Sequence, residues 1–440
     1  MTKRTREQAP TGRSVAVKVL ERVETNKAYA AAALDAELAR AKQLDVRDRG
    51  LCTEIVYGVL RTRRALEARL ARHMSAGLAR TEPWLRLQLL VAAYQILALD
   101  RVPAHAAVDA AVTEVRARRG PKPAGFVNAV LRKLSAEERG FEVDEAIWNS
   151  VPDWLRARLV AAVGEEDARA LLCVGAGSGT WVRAVDERAR PDWLAEAEPD
   201  VRVPGAYRST LGGDLRAREG WDSGAFVIQE LGSQILGHAL AAVPGERVLD
   251  ACAGRGQKTS LLRECVGNSS ELWAADLHPH KLRALQAEFE RLRLSPPRIA
   301  AVDWTRGSGE VPLDTFDRVL VDAPCTGTGT LRRRPEITSR LTPEDPARMS
   351  RLAEQILRSA ANCARPGGRI VFAVCSVMPE EGTELVKRVR DVLDPAPFDA
   401  PLARALAGDG VTEFRLLPTR HGTEGYFVAS FVRPARGHTP

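Results

Sequence analysis

The stretch RVLDACAGRGQKTS, residues 247–260, contains the pattern on which the fold depends. Its first six residues form the short apolar run of a buried strand, and small residues with two glycines follow at once. Glycine allows a tight turn and lets the backbone approach a ligand closely. The sequence therefore predicts a strand, a glycine-rich turn and the start of a helix.

The same alternation continues towards the C-terminus. Strands are predicted at ELWAAD (271–276), RIAAVD (298–303), RVLVDA (318–323) and RIVFAVCS (369–376), with amphipathic helical patterns between them. Such alternation builds a parallel sheet with helices on both faces and a ligand crevice at the carboxyl ends of the strands. The final runs FRLLP and GYFVASFVRP predict an antiparallel hairpin at the edge of the sheet. We therefore predict a Rossmann-like α/β domain over residues 241–440.

The N-terminal part shows a helical pattern instead. From Ser14 to about Leu134, apolar residues recur at spacings of three and four, which predicts an all-α domain over residues 1–138. Residues 139–240 combine a predicted helix pair with a predicted strand, GTWVRAVD, and we assign them to a linking subdomain.

The positive charge is concentrated in the helical part. Residues 1–135 contain 25 Lys and Arg against 13 Asp and Glu, a net charge of +12, and because the chain total is +7 the remaining residues sum to −5. A small domain with this excess attracts a polyanion such as RNA. No apolar run reaches the roughly 18 residues of a membrane span, and the N-terminus lacks a signal-peptide pattern, so we expect a cytoplasmic protein without a membrane partner.

The seven cysteines are odd in number, scattered and never arranged as CxxC. Neither a disulfide framework nor a metal site is expected from this spacing, so any special cysteine would act as a thiol. Four of them lie in helical patterns and are expected to be small buried apolar residues. These four are Cys52, Cys173, Cys265 and Cys363.

The predicted turn and the ends of the next strands suit a cofactor. The turn comprises Cys252, Ala253, Gly254, Arg255, Gly256, Gln257 and Lys258, and it matches neither the GxGxxG nor the Walker spacing. The following strands end on Asp276, Asp303 and Asp322. An acid after the second strand is placed to bind a ribose diol, and three acids in register favour a nucleoside-containing cofactor over three separate helix caps.

Two cysteines follow neighbouring predicted strands. Cys325 comes after RVLVDA and Cys375 ends RIVFAVCS, and adjacent parallel strands bring their carboxyl-end loops side by side. Two thiols beside such a cofactor suit methylation of cytosine at C5, an atom that becomes nucleophilic only after a thiolate adds to C6. The nucleophile needs a nearby cation, which Lys258 or the run Arg332 to Arg334 could supply.

Several motifs of the sequence resemble those of a known family. DAPCTGTGTLRRRPE (322–336) and VFAVCSVMPEEG (371–382) resemble the two cysteine motifs of the RNA 5-methylcytosine methyltransferases. VIQELGSQ (227–234) resembles the segment that precedes the family's first strand, and GTEGYFVASF (422–431) resembles its closing strand. LCTEIVYGVLRTRR, LDRVPAHAAVDAAV and GFVNAVLRKL are similar to the NusB-like RNA-binding domain. This combination of domains resembles the Sun/RsmB branch, which modifies a cytosine of 16S ribosomal RNA.

The resemblance implies a role for each candidate site residue. Cys375 would be the nucleophile, Cys325 would assist proton removal and product release, and Asp322 would orient the cytosine edge or the cofactor. The cofactor would be S-adenosylmethionine. Its methionine part would lie in the turn from Cys252 to Lys258, its ribose at Asp276 and its adenine at Asp303. We expect a monomer that binds small-subunit ribosomal RNA, with residues 139–240 contributing to RNA recognition.

The chain departs from the family pattern at several positions. Arg255 and Gln257 stand in the turn where the family usually has Ala-Pro-Gly-Gly-Lys, and a side chain at 257 requires a negative φ. Gly382 replaces the usual Asn, and the aromatic residue that usually follows RRRPE is missing. Transfer RNA as substrate and a role as an RNA-binding or assembly factor with weakened catalysis stay open as alternatives. Methylation of an exocyclic amine fits poorly, because that chemistry needs no thiol.

Overall fold

The computed structural model describes residues 9–75, 77–137, 140–173, 179–186 and 189–435. The chain divides into two compact units. The first contains Met1–Ala157 and Leu331–Arg340, and the second contains Arg158–Thr330 and Leu341–Pro440. The division at residues 138 and 240 stays a prediction. In the described ranges, no helix combines the length and apolar character needed to cross a membrane.

The first unit is helical, as its periodicity predicts. Its helices are α1 (Gly12–Thr25), α2 (Ala30–Arg40), α3 (Val46–Ala71), α4 (Pro83–Ala98), α5 (Ala104–Arg119), α6 (Pro121–Ser135) and α7 (Val143–Ser150), and α8 (Asp153–Val163) begins in it. The apolar faces of α1 to α6 share one core, in which Leu20, Ile55 and Leu87 are almost fully buried. Gly120 separates α5 from α6 with a φ of 86°, so the chain turns within RRGPKPAG.

The second unit begins with a small antiparallel sheet. After α9 (Glu165–Ala170) come β1 (Thr180–Ala184), β2 (Glu198–Pro199), β3 (Ala206–Ser209) and β4 (Phe226–Ile228). Their order in the sheet is β2-β3-β1-β4, and every described pair is antiparallel. The predicted strand GTWVRAVD corresponds to β1, at the centre of this sheet.

The larger sheet of the second unit follows. Its elements are α10 (Leu231–Ala239), β5 (Val248–Asp250), α11 (Gln257–Val266), β6 (Leu272–Asp276), α12 (Pro279–Arg291), β7 (Arg298–Ala301), β8 (Phe316–Asp322), α13 (Asp345–Ala361), β9 (Ala364–Val374), α14 (Thr383–Arg388), β10 (Asp394–Pro395), α15 (Pro401–Ala407), β11 (Glu413–Leu416), α16 (Pro418–His421) and β12 (Tyr426–Val432). In the described residues the order is β10-β12-β9-β8-β5-β6-β7, and β11 also pairs with β12. The five predicted strands and the hairpin are all present.

The strand directions decide where a ligand can bind. Strands β5 to β9 pair in parallel, whereas β12 runs antiparallel to β9, β10 and β11. Alternate residues of β8 enter opposite cores: Val319 and Val321 pack on one face and Leu320 on the other. Both faces are therefore covered, and the open positions are the loops at the carboxyl ends of β5, β6, β8 and β9.

Candidate active site

The two cysteines that follow β8 and β9 lie in contact. The register pairs Asp322 with Ala373, and Ala323 donates its N–H to the Ala373 carbonyl at 2.9 Å. This places the Sγ atoms of Cys325 and Cys375 only 3.3 Å apart, with both residues half-buried. All seven cysteines lie in the described ranges, and none of them forms a disulfide. The convergence that the strand order predicts is therefore present as two adjacent thiols.

The surroundings of the two sulfurs differ. The hydrogen bond to Cys375 and burial raise the pKa of Cys325 well above its usual range, and the charges of Cys375 and Glu381 add to this effect. Burial and the neighbouring sulfur therefore favour the protonated form of Cys325. Either sulfur can donate in the hydrogen bond between the two thiols.

A half-buried ion pair lies next to the thiols. Lys258, in the first turn of α11, places its Nζ 2.7 Å from Oδ2 of Asp322. Burial lowers the pKa of Lys258, but the carboxylates of Asp322 and Asp250 and the sulfur of Cys375 outweigh it and raise that pKa. Lys258 thus stays an ammonium ion within electrostatic range of Cys375. Arg332 to Arg334, the other candidate cations, belong to the first unit.

The turn after β5 has the backbone that glycine permits. Gly254 and Gly256 adopt φ values of 57° and 88°. A Cβ on Gly256 would lie 2.7 Å from Cγ of Leu285, whereas a Cβ on Gly254 would meet no atom within 4 Å. Gln257 begins α11 without a positive φ, as its side chain requires, and donates to the Ile228 carbonyl at 2.9 Å. The turn therefore leaves open space beside Gly254.

The predicted acids lie at the ends of their strands. Asp276 is buried, and its carboxylate accepts from the N–H of Gly254 at 3.0 Å and from the N–H of His278 at 2.8 Å. Asp303 is more exposed and accepts from Thr305, whose two hydrogen bonds lower the pKa of Asp303. Both carboxylates retain lone pairs that a ligand could use.

A further buried acid stands at the end of β5. Asp250 accepts from the Thr259 hydroxyl at 2.7 Å, but its other oxygen, Oδ1, is buried without a hydrogen-bond partner. Burial raises the pKa of Asp250 to about 7. Cys252 lies beside it, and burial together with the nearby carboxylates raises the pKa of that thiol. The open space at Gly254, the unpartnered oxygen of Asp250 and the carboxylate of Asp276 fit a nucleoside-containing cofactor.

Sequence reasoning missed residues that hold the site in place. Arg183 of β1 is almost fully buried and donates to Ser260 of α11 and to Gln229, each at 2.8 Å. Trp304 donates its indole N–H to the Ala251 carbonyl at 2.6 Å. In the sequence, Arg183 is only a charge within the apolar run WVRAV, and no local pattern marks Trp304.

The loop of alternating Thr and Gly, residues 326–330, packs against the loop that contains Gly425. Gly329 donates its N–H to the Cys375 carbonyl at 3.1 Å, and Gly425 donates to the Gly329 carbonyl at 2.8 Å. A Cβ on Gly329 would lie 1.9 Å from the Gly425 oxygen. Next to this contact, Tyr426 donates its hydroxyl to Oε2 of Glu230 at 2.9 Å. The closing segment of the chain therefore helps to shape the site, a role that its strand pattern did not reveal.

Comparison with known families gives two matches along the chain. A model described as 16S rRNA methyltransferase RsmB/F matches residues 237–432, and the NusB family model matches residues 10–136. The first range contains both cysteines, the glycine turn and the three predicted acids. The second covers most of the helical unit.

Similar proteins match over nearly their whole length. The ribosomal RNA small subunit methyltransferase B of Xylella fastidiosa (strain Temecula1) is 31% identical over 415 residues, which cover 91% of this chain and 94% of that protein. The "Probable ribosomal RNA small subunit methyltransferase B" of Bacillus subtilis (strain 168) is 28% identical over 449 residues, covering 95% and 98%. The crystal structure of PH0851 has a TM-score of 0.79 at 21% identity and covers 96% of this chain, which shows a shared fold.

Proposed function

Since the chain belongs to the RsmB/F methyltransferase family and carries the NusB domain, we propose that it transfers a methyl group from S-adenosylmethionine to C5 of a cytosine in RNA. The proposed substrate is small-subunit ribosomal RNA, the RNA named for its relatives. The observation that carries the chemistry is the 3.3 Å separation of the Cys325 and Cys375 sulfurs at the ends of adjacent strands.

Cys375 is the proposed nucleophile. Its thiolate adds to C6 of the cytosine, forming an S–C6 bond and moving electron density to C5, which can then take up a methyl group. The ammonium of Lys258 favours the thiolate because it places a positive charge nearby. Asp322 holds that ammonium at 2.7 Å and stands beside the proposed position of the base.

Cys325 is the proposed partner for the second half of the reaction. After methylation, C5 carries both a hydrogen and the new methyl group, so the C5 proton must leave before the S–C6 bond can break. Cys325 assists this proton removal, and Cys375 then departs as a thiolate while the C5–C6 double bond forms again.

S-adenosylmethionine, when bound, supplies an electrophilic methyl group. The turn from Cys252 to Lys258 would hold its methionine part, Asp276 its ribose and Asp303 its adenine. Support for this assignment comes from the open space beside Gly254 and from the buried, unpartnered oxygen of Asp250. Among the described residues, no cluster of acids, histidines and cysteines could hold a metal ion.

Variants of the two cysteines test the proposed reaction. Cys375→Ala is expected to abolish methyl transfer to 16S ribosomal RNA, and Cys325→Ala is expected to accumulate a protein–RNA adduct that survives a denaturing gel. Cys173→Ala, at a half-buried cysteine on another part of the unit, is the matched control and should retain activity. An active Cys375→Ala enzyme would refute the proposed role.

Two alternatives remain for the partner and the activity. Transfer RNA would be favoured if bisulfite sequencing of total RNA from a deletion strain showed a lost 5-methylcytosine in a tRNA instead of in 16S rRNA. A non-catalytic RNA-binding or assembly factor would be favoured if calorimetry detected no S-adenosylmethionine binding at millimolar concentration. The reason to test this second alternative is the altered cofactor turn, in which Arg255 and Gln257 depart from the family pattern.

A further inference from the structure

A buried carboxylate joins the two loops that carry the cysteines. Glu381 ends the short 3-10 helix Pro379–Glu381, which follows β9, and its residue is 0% exposed. Burying a carboxylate is costly unless hydrogen bonds compensate for the lost water. The donors that satisfy Glu381 therefore indicate what this residue holds together.

The donors are the residues that directly follow each cysteine. Thr326 donates its backbone N–H to Oε1 of Glu381 at 2.7 Å and its hydroxyl to Oε2 at 2.5 Å. Ser376 donates its hydroxyl to the same Oε2 at 2.5 Å. One carboxylate thus fixes two chain positions that are each one residue away from a sulfur.

Thr328 closes this hydrogen-bonded network. Its hydroxyl lies 2.9 Å from that of Ser376 and accepts from the N–H of Val377 at 3.2 Å. Thr326, Thr328 and Ser376 are all buried. Since the network is closed to solvent, water cannot easily replace a lost partner, and the spacing of the two loops depends on the carboxylate.

We infer that Glu381 is a positioning residue, which sets the separation of the Cys325 and Cys375 sulfurs by binding Thr326 and Ser376. Its role in methyl transfer rests on the proposed function, whereas its effect on the sulfur separation does not. Nothing in the spacing of MPEEG predicts this role, because the second loop is distant in sequence.

Two variants of Glu381 distinguish the effect of its hydrogen-bond geometry from the effect of its charge. Glu381→Ala removes both carboxylate oxygens, so the two hydroxyls and the N–H of Thr326 lose this acceptor. Glu381→Gln keeps the size and the carbonyl acceptor, and the rotatable hydroxyls can accept from its new amide N–H groups. The Gln variant should therefore keep the spacing of the loops, while the Ala variant should lose it. Glu380→Ala is the matched control, because the neighbouring Glu380 pairs with Arg158 instead.

The first measurement is the rate at which Cys325 and Cys375 couple, that is, form a disulfide with each other, in the full-length protein. Diamide oxidises both thiols to a disulfide, taking up two electrons and two protons to become the hydrazine, and mass spectrometry quantifies the Cys325–Cys375 peptide. Glu381→Ala should slow this coupling by about tenfold or more, because disulfide formation depends steeply on sulfur geometry. Glu381→Gln and Glu380→Ala should stay within about threefold of the parent.

The second measurement is methyl transfer to RNA. Glu381→Ala should lower kcat by about 100-fold, the usual effect of a misplacement near 1 Å, while Glu381→Gln restores most of the rate. The Kd for S-adenosylmethionine should stay within about threefold, since Glu381 makes no contact with the glycine turn. A general loss of structure would instead weaken cofactor binding and would not be rescued by Gln.

The outcomes distinguish the two proposals. Coupling at the parent rate in a folded Glu381→Ala protein would overturn the inference. A parent protein that couples its thiols but methylates no RNA would refute the proposed function and leave the inference supported. If Glu381→Ala does not fold, the double variant Thr326→Val and Ser376→Ala removes the hydroxyl donors, and parent-like coupling in it would again overturn the inference.

Discussion

At the scale of single residues, the two thiols of the candidate active site have different surroundings. Cys325 is held as a thiol by its hydrogen bond to Cys375, by burial and by the charge of Glu381. Cys375 instead lies within electrostatic range of the ammonium of Lys258. This asymmetry supports the order of the proposed reaction, in which Cys375 attacks first and Cys325 acts afterwards.

Replacing Lys258 should change the pH at which Cys375 reacts. Lys258→Met removes the cation and leaves the carboxylate of Asp322 unpaired, so ionisation of the sulfur becomes harder. Alkylation of Cys375 by iodoacetamide, followed by mass spectrometry across a pH series, should shift to higher pH by about one unit or more. Lys387→Met, an exposed position on α14, serves as the control and should leave the profile unchanged. An unshifted profile in Lys258→Met would contradict the proposed role of this lysine.

Two departures from the family pattern also find explanations at single residues. Gln257 is accommodated because it starts α11 with a helical backbone. At Gly382 a Cβ would lie 2.9 Å from Cγ of Phe427, so the ring occupies the space that a larger residue would need. Nothing in the structure explains the missing aromatic residue after RRRPE.

At the scale of elements, strand register creates the site. Asp322 of β8 pairs with Ala373 of β9, so the chain reaches Cys325 and Cys375 at the same edge of the sheet. The loop between Cys325 and Thr330 can pack against Gly425 only because Gly329 has no side chain. The alternation of Thr and Gly thus serves two purposes, since its threonines bond to Glu381 and Ser376 while its glycine contacts Gly425.

Adding a side chain at Gly329 should destabilise the second unit. Gly329→Ala places a Cβ against the Gly425 carbonyl, a backbone atom that cannot rotate away, and should lower the free energy of unfolding by at least about 2 kcal/mol. Gly125→Ala, where a Cβ meets nothing within 4 Å on helix α6, should instead raise it by roughly 0.5–1 kcal/mol. Urea denaturation followed by circular dichroism measures both. Equal stabilities for the two variants would show that the loops can separate without cost.

At the scale of the whole molecule, the chain joins its two units more than once. It leaves the second unit after Thr330 and returns at Leu341, and the ten residues between belong to the first unit. There, Oε1 of Glu336 accepts from the N–H of Ala30 at the start of α2, at 3.1 Å, and Arg61 donates to the Arg332 carbonyl at 2.8 Å. The three arginines of the cysteine motif are therefore part of the helical unit that carries the excess positive charge.

RNA binding should depend strongly on salt, because residues 1–135 carry a net charge of +12. Binding that neutralises phosphates releases counterions, so affinity for a 16S rRNA fragment should fall by about tenfold or more between 50 and 200 mM salt. The affinity for S-adenosylmethionine, measured over the same range by calorimetry, is the internal control and should change much less. RNA affinity that is insensitive to salt would exclude the charged helical unit as the main RNA-binding surface.

The sequence by itself determined the two classes of fold and supplied the candidate residues at the strand ends. Helical periodicity and strand–helix alternation are local patterns, and residue types at strand ends can be read directly, so Cys325, Cys375 and the three acids were identified without coordinates. Only the tertiary structure decided the 3.3 Å sulfur separation, the pairing of Lys258 with Asp322 and the burial of Glu381. These depend on packing between segments far apart in the chain, and local patterns contain no information about such distances.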